Sequence, residues 1–366
     1  MKWKSLLAVL SVSALLVTTG CGSDAAGTGE DASKAKFTAS NTYQGDLSGV
    51  TLNIGAASSQ NAQGIVEAAG LADTPYKVEF HNMRSGSLVL EAIAANQLDA
   101  GCGSQIPPIF ASLANNGGNF KIIAIRKGTT LNQELIVSPQ AKENIKTVAD
   151  LKGKKVGYVK NTTAQYFLYK MLSEAGLKWT DIDALPMSTS DGLSAITTGD
   201  IDALASYDNA VIIGKEKGGA LLRSAEDILS GDYYWYATLD TIKDPAKHAA
   251  LVDYLERINE ANEWARNHPR EWAEYAAKES NQSPDDIQKR FEAGEAQRKG
   301  RIAPIDDATI ASEQDIIDSF VDLGALKSKI EAVTLFDKSF VDEIAKFKVY
   351  RGRMGIDGKN EQLKPV

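Results

Sequence analysis

Residues Ser85–Ala100 and Ser188–Ala203 align without a gap, and a fold for this chain must accommodate that stretch twice. Ser85 falls on Ser188, Ser87 on Ser190, Leu90 on Leu193, Ala92 on Ala195 and Ile93 on Ile196. Leu98 falls on Ile201, Asp99 on Asp202 and Ala100 on Ala203. Each copy joins a hydroxyl suited to a helix N-cap, an apolar helical stripe and an acidic residue ahead of a small residue. At the same offset Ser58-Ser59-Gln60 falls on Asn161-Thr162-Thr163, although the preceding strands need about one residue of slack. A repeated supersecondary unit predicts two copies of one architecture, each presenting polar residues at corresponding strand-to-helix turns.

The flanking sequence reads the same way. A strand at Thr51–Gly55 precedes a helix with Ala62, Ile65, Val66 and Ala69 on one face, a strand at Lys77–Phe80 and a helix at Leu88–Ala95. Pro107-Pro108 opens a further helix, where proline costs nothing in the first turn. Phe120–Ile125 and Glu134–Val137 are strands, and the pattern restarts with a strand at Lys155–Val159 and a helix at Gln165–Ala175. Strand–helix alternation with short loops implies α/β structure with largely parallel sheets covered on both faces. After Trp235 the chain turns helical: Ala246–Ala265 places Leu251, Leu255, Ile258 and Ala261 at helical spacing, His268-Pro269 breaks it, and Thr309–Leu323 stops at Gly324.

The 366 residues favour two domains, and 43% hydrophobic with 24% charged residues is ordinary for a globular chain. The N-terminus reads as a removable leader: Lys2 and Lys4 precede the apolar stretch Leu6–Val17, which ends in Thr18-Thr19-Gly20-Cys21. Residues 1–20 are expected to be a lipoprotein signal peptide, with Cys21 lipidated as the mature N-terminus. Residues 21–47, rich in small and polar types, are expected to form a flexible tether reaching about 25–30 Å. This places the protein on the extracytoplasmic face of a membrane, held by lipid alone. With Cys21 acylated, Cys102 is the remaining thiol, so no intramolecular disulfide forms. Losing Lys2 and Lys4 takes the formal net charge from −8 to −10. So acidic a body argues against nucleic acid, and an anionic ligand must be drawn in by local dipoles.

Several segments together resemble the solute-binding proteins of the nitrate/sulfonate/taurine class of ABC importers, closest to the aliphatic sulfonate-binding branch. They are Gly103–Ala111, Asp150–Gly157, Thr162–Tyr166 with Leu172, Gly176 and Leu177, Gly199–Ala203, Tyr207-Asp208, Ile302–Ile305 and Phe320–Leu326. The resemblance spans about Val50 to Asp342 and rests on the order and spacing of the motifs. It implies a two-lobed periplasmic-binding-protein type II fold with a ligand cleft between the lobes. Lobe I is expected at 48–137 and 236–342, lobe II at 138–235 and a tail at 343–366, with crossings near Val137 and Trp235. It further implies a monomeric receptor that delivers an aliphatic sulfonate, alkanesulfonate or taurine-like, to an ABC permease and its ATPase. Nitrate and a thiamine-precursor pyrimidine are the alternative ligands.

A sulfonate is a permanent monoanion, so its site needs convergent donors such as helix N-termini and hydroxyls. The expected ligand residues are Thr162, Thr163, Ser188, Ser190, Tyr207 and Asp208 from lobe II. Lobe I is expected to supply Ser58, Ser59, Gln60, Arg84, Ser85, Ser104 and Gln105. Caps and turns use the same residue types, and Thr162 with Gln165 has capping-box spacing. Tyr233-Tyr234-Trp235 is a candidate apolar wall. Neither a cofactor nor a metal site is expected. An enzyme would show a nucleophile, a base and an orienting partner; the three histidines form no such set with a neighbour in sequence. The desulfinase branch of the fold uses a cysteine after the first strand, where this chain has Ser58 and Ser59, and Cys102 reads as a small buried thiol.

Overall fold

The computed structural model describes residues 43–57, 62–83, 85–114, 117–280 and 282–347. The leader, Cys21, most of the tether, Ser58, Ser59, Gln60, Arg84 and the tail from Lys348 lie outside the described residues.

Eleven strands form two sheets among the described residues. The strands are β1 (Thr51–Ala57), β2 (Lys77–Met83), β3 (Ala100–Ser104), β4 (Phe120–Lys127), β5 (Gln133–Val137), β6 (Lys155–Tyr158), β7 (Asp183–Pro186), β8 (Ala203–Tyr207), β9 (Ala220–Ser224), β10 (Asp232–Thr238) and β11 (Arg301–Ala303). The helices are α1 (Gln63–Ala68), α2 (Gly86–Ala94), α3 (Ile106–Ala111), α4 (Thr163–Glu174), α5 (Thr189–Thr198), α6 (Asn209–Glu216), α7 (Leu239–Lys243), α8 (Pro245–Asn267), α9 (Pro269–Ser280), α10 (Pro284–Gln297), α11 (Asp307–Asp322) and α12 (Val341–Ile344).

The first sheet has the order β11-β4-β10-β3-β1-β2 and the second β7-β6-β8-β5-β9. Apart from β11 they share one topology, with β2, β1, β3, β10 and β4 corresponding to β7, β6, β8, β5 and β9. In each, the middle strands run parallel and one strand inserts antiparallel, β10 beside β3 and β5 beside β8.

The repeat has a bond-by-bond basis. Asn53 N–H donates to the Asp99 carboxylate at 2.8 Å, and Asp99 N–H returns a bond to Asn53 O at 2.8 Å. Lys155 N–H donates to Asp202 at 2.9 Å, and Asp202 N–H to Lys155 O at 2.9 Å. The carbonyls of Asp99 and Asp202 accept from Thr238 and Ser138, just at or past the ends of the inserted antiparallel strands. Ser85 and Ser188 both cap their helices.

Sheet membership moves the expected lobe boundaries. Strand β5 was expected to close lobe I, but it pairs with β8 and β9; β10 was expected to straddle the return, but it pairs with β3 and β4. The crossings therefore lie at 128–132 and 225–231. They touch each other through Gly128 N–H to Gly231 O at 2.8 Å. Gly231 has φ 69°, and a side chain there would run into the Gly128 carbonyl. The first crossing is also tied to the end of α10, where Gln297 Oε1 accepts from Thr129 Oγ1 and Thr130 N–H.

Helix α8 is buried along most of its circumference and packs with α1 and Trp235 in one core. Within its buried face Arg257 donates to Asp253 at 2.7 Å. Among the described residues no helix is long and apolar enough to cross a membrane.

Candidate functional site

A cleft of about 600 Å³ opens where the carboxyl ends of the strands of both sheets meet the crossings. Open α/β sheets bind ligands at such strand ends, because the turns there present free backbone groups and helix N-termini.

The lobe II wall is built on the turn from β6 into α4. Asn161 takes φ 57°, a left-handed conformation that asparagine tolerates. Thr162 is the N-cap: its Oγ1 accepts from Ala164 N–H at 3.2 Å and donates to Val159 O at 2.7 Å. Gln165 Oε1 accepts the Asn161 N–H at 2.8 Å, one residue earlier than the capping-box spacing implies. The N–H groups of Thr162 and Thr163 have no partner among the described residues, so a twelve-residue helix offers its positive end to the cleft. Thr163 Oγ1 donates to Gln133 Oε1 at 2.6 Å, and both residues line the cleft.

Tyr207 and Asp208 complete that wall. Asp208 occupies the N-cap position of α6 with φ 52° and ψ −133°, yet its side chain makes no capping bond. A non-glycine residue in such a conformation stores strain that functional sites often carry. The carboxyl keeps a solvent-facing side, but enclosure by the surrounding protein pushes its pKa above the ordinary aspartate range. Tyr207 is shifted upward by burial and then by the Asp208 charge.

The lobe I wall carries Ser85, Ser87, Ser104 and Arg126. Ser85 Oγ accepts from Leu88 N–H at 3.3 Å, so it caps α2 while lining the cleft. Arg126, near the carboxyl end of β4, stands in register opposite Tyr233 of β10, its guanidinium 5.6 Å from the ring centroid. Lys160 adds a second, exposed cation. Asp232 also lines the cleft, but Lys127 neutralises it at 2.8 Å. The local balance therefore favours an anion despite the acidic body.

The expected residues separate into groups. Ser85, Ser104, Thr162, Thr163, Tyr207 and Asp208 meet in the cleft. Ser188 and Ser190 do not line it: they bond to each other at 2.9 Å, and Ser188 caps α5 through Asp191 N–H at 3.1 Å. The second copy kept the cap and not the cleft position. Gln105 borders the cleft, but its side chain turns inward, donating to Tyr234 Oη at 3.0 Å and accepting from Ser230 Oγ at 2.9 Å. That geometry replaces its expected role as a ligand donor with a structural one. Arg126, Gln133, Lys160 and Ser87 were not anticipated. Arg126 sits near the carboxyl end of β4, a position that could have flagged it, whereas Gln133 starts the antiparallel β5. Tyr233 is the member of the aromatic run that lines the cleft; Tyr234 and Trp235 are core.

Cys102 is fully buried on β3, and burial pushes its thiol up to about 11, so it is unreactive at neutral pH. Among the described residues no cluster of three or more metal-binding side chains occurs.

The profile of the family described as NMT1/THI5 like matches residues 61–272, more than half of the chain and both walls of the cleft. The chain belongs to the NMT1/THI5-like family. A curated protein of Escherichia coli (strain K12), named "Putative aliphatic sulfonates-binding protein", is 31% identical over 160 residues, which are 43% of this chain and 49% of that protein. The chain thus spans about half the length of that relative. Among solved structures, the periplasmic aliphatic sulphonate binding protein SsuA from Escherichia coli superposes with a TM-score of 0.70 at 23% identity, over 78% of this chain and 97% of that one. The alkanesulfonate-binding protein SsuA from Xanthomonas axonopodis pv. citri bound to MOPS gives 0.67 at 21%, over 78% and 98%. The desulfurization enzyme DszB has the same fold at 0.58 and 14%, over 80% and 97%. This chain therefore has the two-sheet fold of periplasmic binding proteins, as its sequence led us to expect.

Proposed function

We propose that this protein is the extracytoplasmic solute-binding component of an ABC importer, capturing an aliphatic sulfonate in the interlobe cleft for delivery to a permease. The observation that carries the reading is the pairing of the α4 N-terminus, with the N–H groups of Thr162 and Thr163, and Arg126 on the other wall. Three sulfonate oxygens need several donors and no proton transfer, which this arrangement supplies. Bonds from both walls would stabilise the closed state over the open one and make capture reversible. The names of the sulfonate-binding relatives support the ligand class.

Leu131, Val159, Tyr207 and Tyr233 offer surface for the organic tail. Asp208, which caps nothing, favours a tail ending in an amine, as in taurine. Lipidation at Cys21 would hold the receptor at the membrane. A desulfinase-like reaction is disfavoured by the inert setting of Cys102.

A thermal-shift panel of ethanesulfonate, taurine, nitrate, sulfate and a thiamine-precursor pyrimidine tests this reading. A ligand at one hundred times its Kd stabilises by about 2.7 kcal/mol, a shift of several degrees. Stabilisation by nitrate or the pyrimidine with none by either sulfonate would sink the assignment.

A further inference from the structure

Behind the lobe I wall lies a polar chain that the cleft chemistry does not use. Glu313 on α11 is fully buried. Its Oε2 accepts from Tyr234 Oη at 2.9 Å and from Gln105 Nε2 at 3.5 Å, while Oε1 has no partner among the described residues. Gln105 Nε2 also donates to Tyr234, and its Oε1 accepts from Ser230, whose Oγ accepts the Asp232 N–H at 3.2 Å. Ser230 belongs to the return crossing, and Gln105 to the turn that presents Ser104 to the cleft. The bonded series therefore runs from a buried carboxyl to both the return crossing and a wall of the site.

We propose that Glu313 is a positioning residue for anion capture, acting through Tyr234 and Gln105 to fix the Ser230 crossing and the Ser104 turn. This rests on reading the cleft as an anion site. Burial pushes the Glu313 carboxyl up to about 8, against the pull of the Tyr234 and Gln105 donors and with a further push from Asp232. A charge on Glu313 would in turn act on Tyr236 of β10 and Tyr166 of α4, both shifted upward with burial as the first cause, while Asp232 is paired with Lys127. At neutral pH the uncharged carboxyl keeps the chain intact. As pH rises through 8, a charge appears in a dry site with one oxygen unpartnered. The charge tightens the bonds from Tyr234 and Gln105 to Oε2, but Oε1 still lacks a donor, and admitting water to it requires the packing around the crossing to loosen.

The test is the Kd for ethanesulfonate, whose charge does not change with pH, by calorimetry from pH 6.5 to 9. Affinity should fall by about fivefold or more across that range. Glu313→Gln, which keeps an acceptor for Tyr234 and cannot ionise, should flatten the profile. An Asp208→Asn protein should keep the slope, separating this effect from the cleft carboxyl. A flat wild-type profile, or an unchanged slope in Glu313→Gln, overturns the proposal. Should Glu313→Gln misfold, Tyr234→Phe removes a donor to the carboxylate and should move the midpoint upward; an unmoved midpoint counts against it.

Carbon-13 NMR of the ligand-free protein separates this proposal from the ligand assignment. The Glu313 carboxyl and the Gln105 side-chain amide should titrate with one midpoint near 8, whatever the cleft binds. A carboxyl titrating near 4.5, or a Gln105 signal that does not follow it, overturns the inference even if sulfonates bind.

Discussion

The repeated aspartates should differ sharply in worth, although their backbone bonds match. Asp99 is 8% exposed and gathers Asn53 N–H at 2.8 Å, Asn53 Nδ2 at 3.1 Å and Lys247 Nζ at 2.6 Å. Asp202 is less buried and has one such side-chain bond, from Lys155 N–H. Bonds to a buried carboxylate contribute about 1.5 kcal/mol each, and less for the partly solvated ammonium. Asp99→Ala should therefore cost about 3 kcal/mol and Asp202→Ala about 1 kcal/mol, read from urea midpoints at pH 7. Burial alone would raise the Asp99 pKa, but the Lys247 and Asn53 donors outweigh it and hold the carboxyl below its usual value. A depressed carboxylate stabilises above its unfolded pKa, about 3.9, and the gain is lost as pH falls through the folded value. The gap between wild type and Asp99→Ala should accordingly narrow from pH 5 to pH 2. Equal costs for the two variants, or a gap that widens in acid, would refute this reasoning.

Three further outcomes concern the cleft. Arg126→Met should weaken sulfonate binding by about 2 kcal/mol, roughly thirtyfold, whereas Lys160→Met, at an exposed position, should cost under about 1 kcal/mol and lose its effect in salt. Thr163→Val removes one polar group and leaves Gln133 Oε1 without its donor, so affinity should fall by about 1–3 kcal/mol in a calorimetric titration. Asp208→Asn should weaken taurine while sparing ethanesulfonate; equal losses for both ligands would remove Asp208 as an amine partner.

How much could be read in advance follows from the range over which each demand acts. The Ser85 and Ser188 caps and the helical stripes are local, and Asp99 and Asp202 recur because the same strand N–H needs an acceptor in each lobe. The shared sheet topology follows from that repetition. Strand β5 was legible as a strand but not as a member of its sheet, and the Tyr233-Tyr234-Trp235 run of β10 was read as a candidate wall, since each strand pairs only with partners distant in sequence. That is why the expected crossings fell beside Val137 and Trp235. Thr162 and Thr163 were singled out by the resemblance of Thr162–Tyr166 to the family's turn and helix, since a helix start alone reads equally as a cap. Arg126 was hidden at the end of a strand that reads as core. Gln105 was misjudged because its partners, Tyr234, Ser230 and Glu313, lie 125 or more residues away in sequence.

Isothermal titration of the purified protein with ethanesulfonate and taurine tests the central claim most directly. Saturable binding of at least one sulfonate is expected at one site per chain, with affinity lowered by Arg126→Met and by Thr163→Val. The contrary result is a folded protein that takes up neither sulfonate, or one whose sulfonate affinity is indifferent to both substitutions.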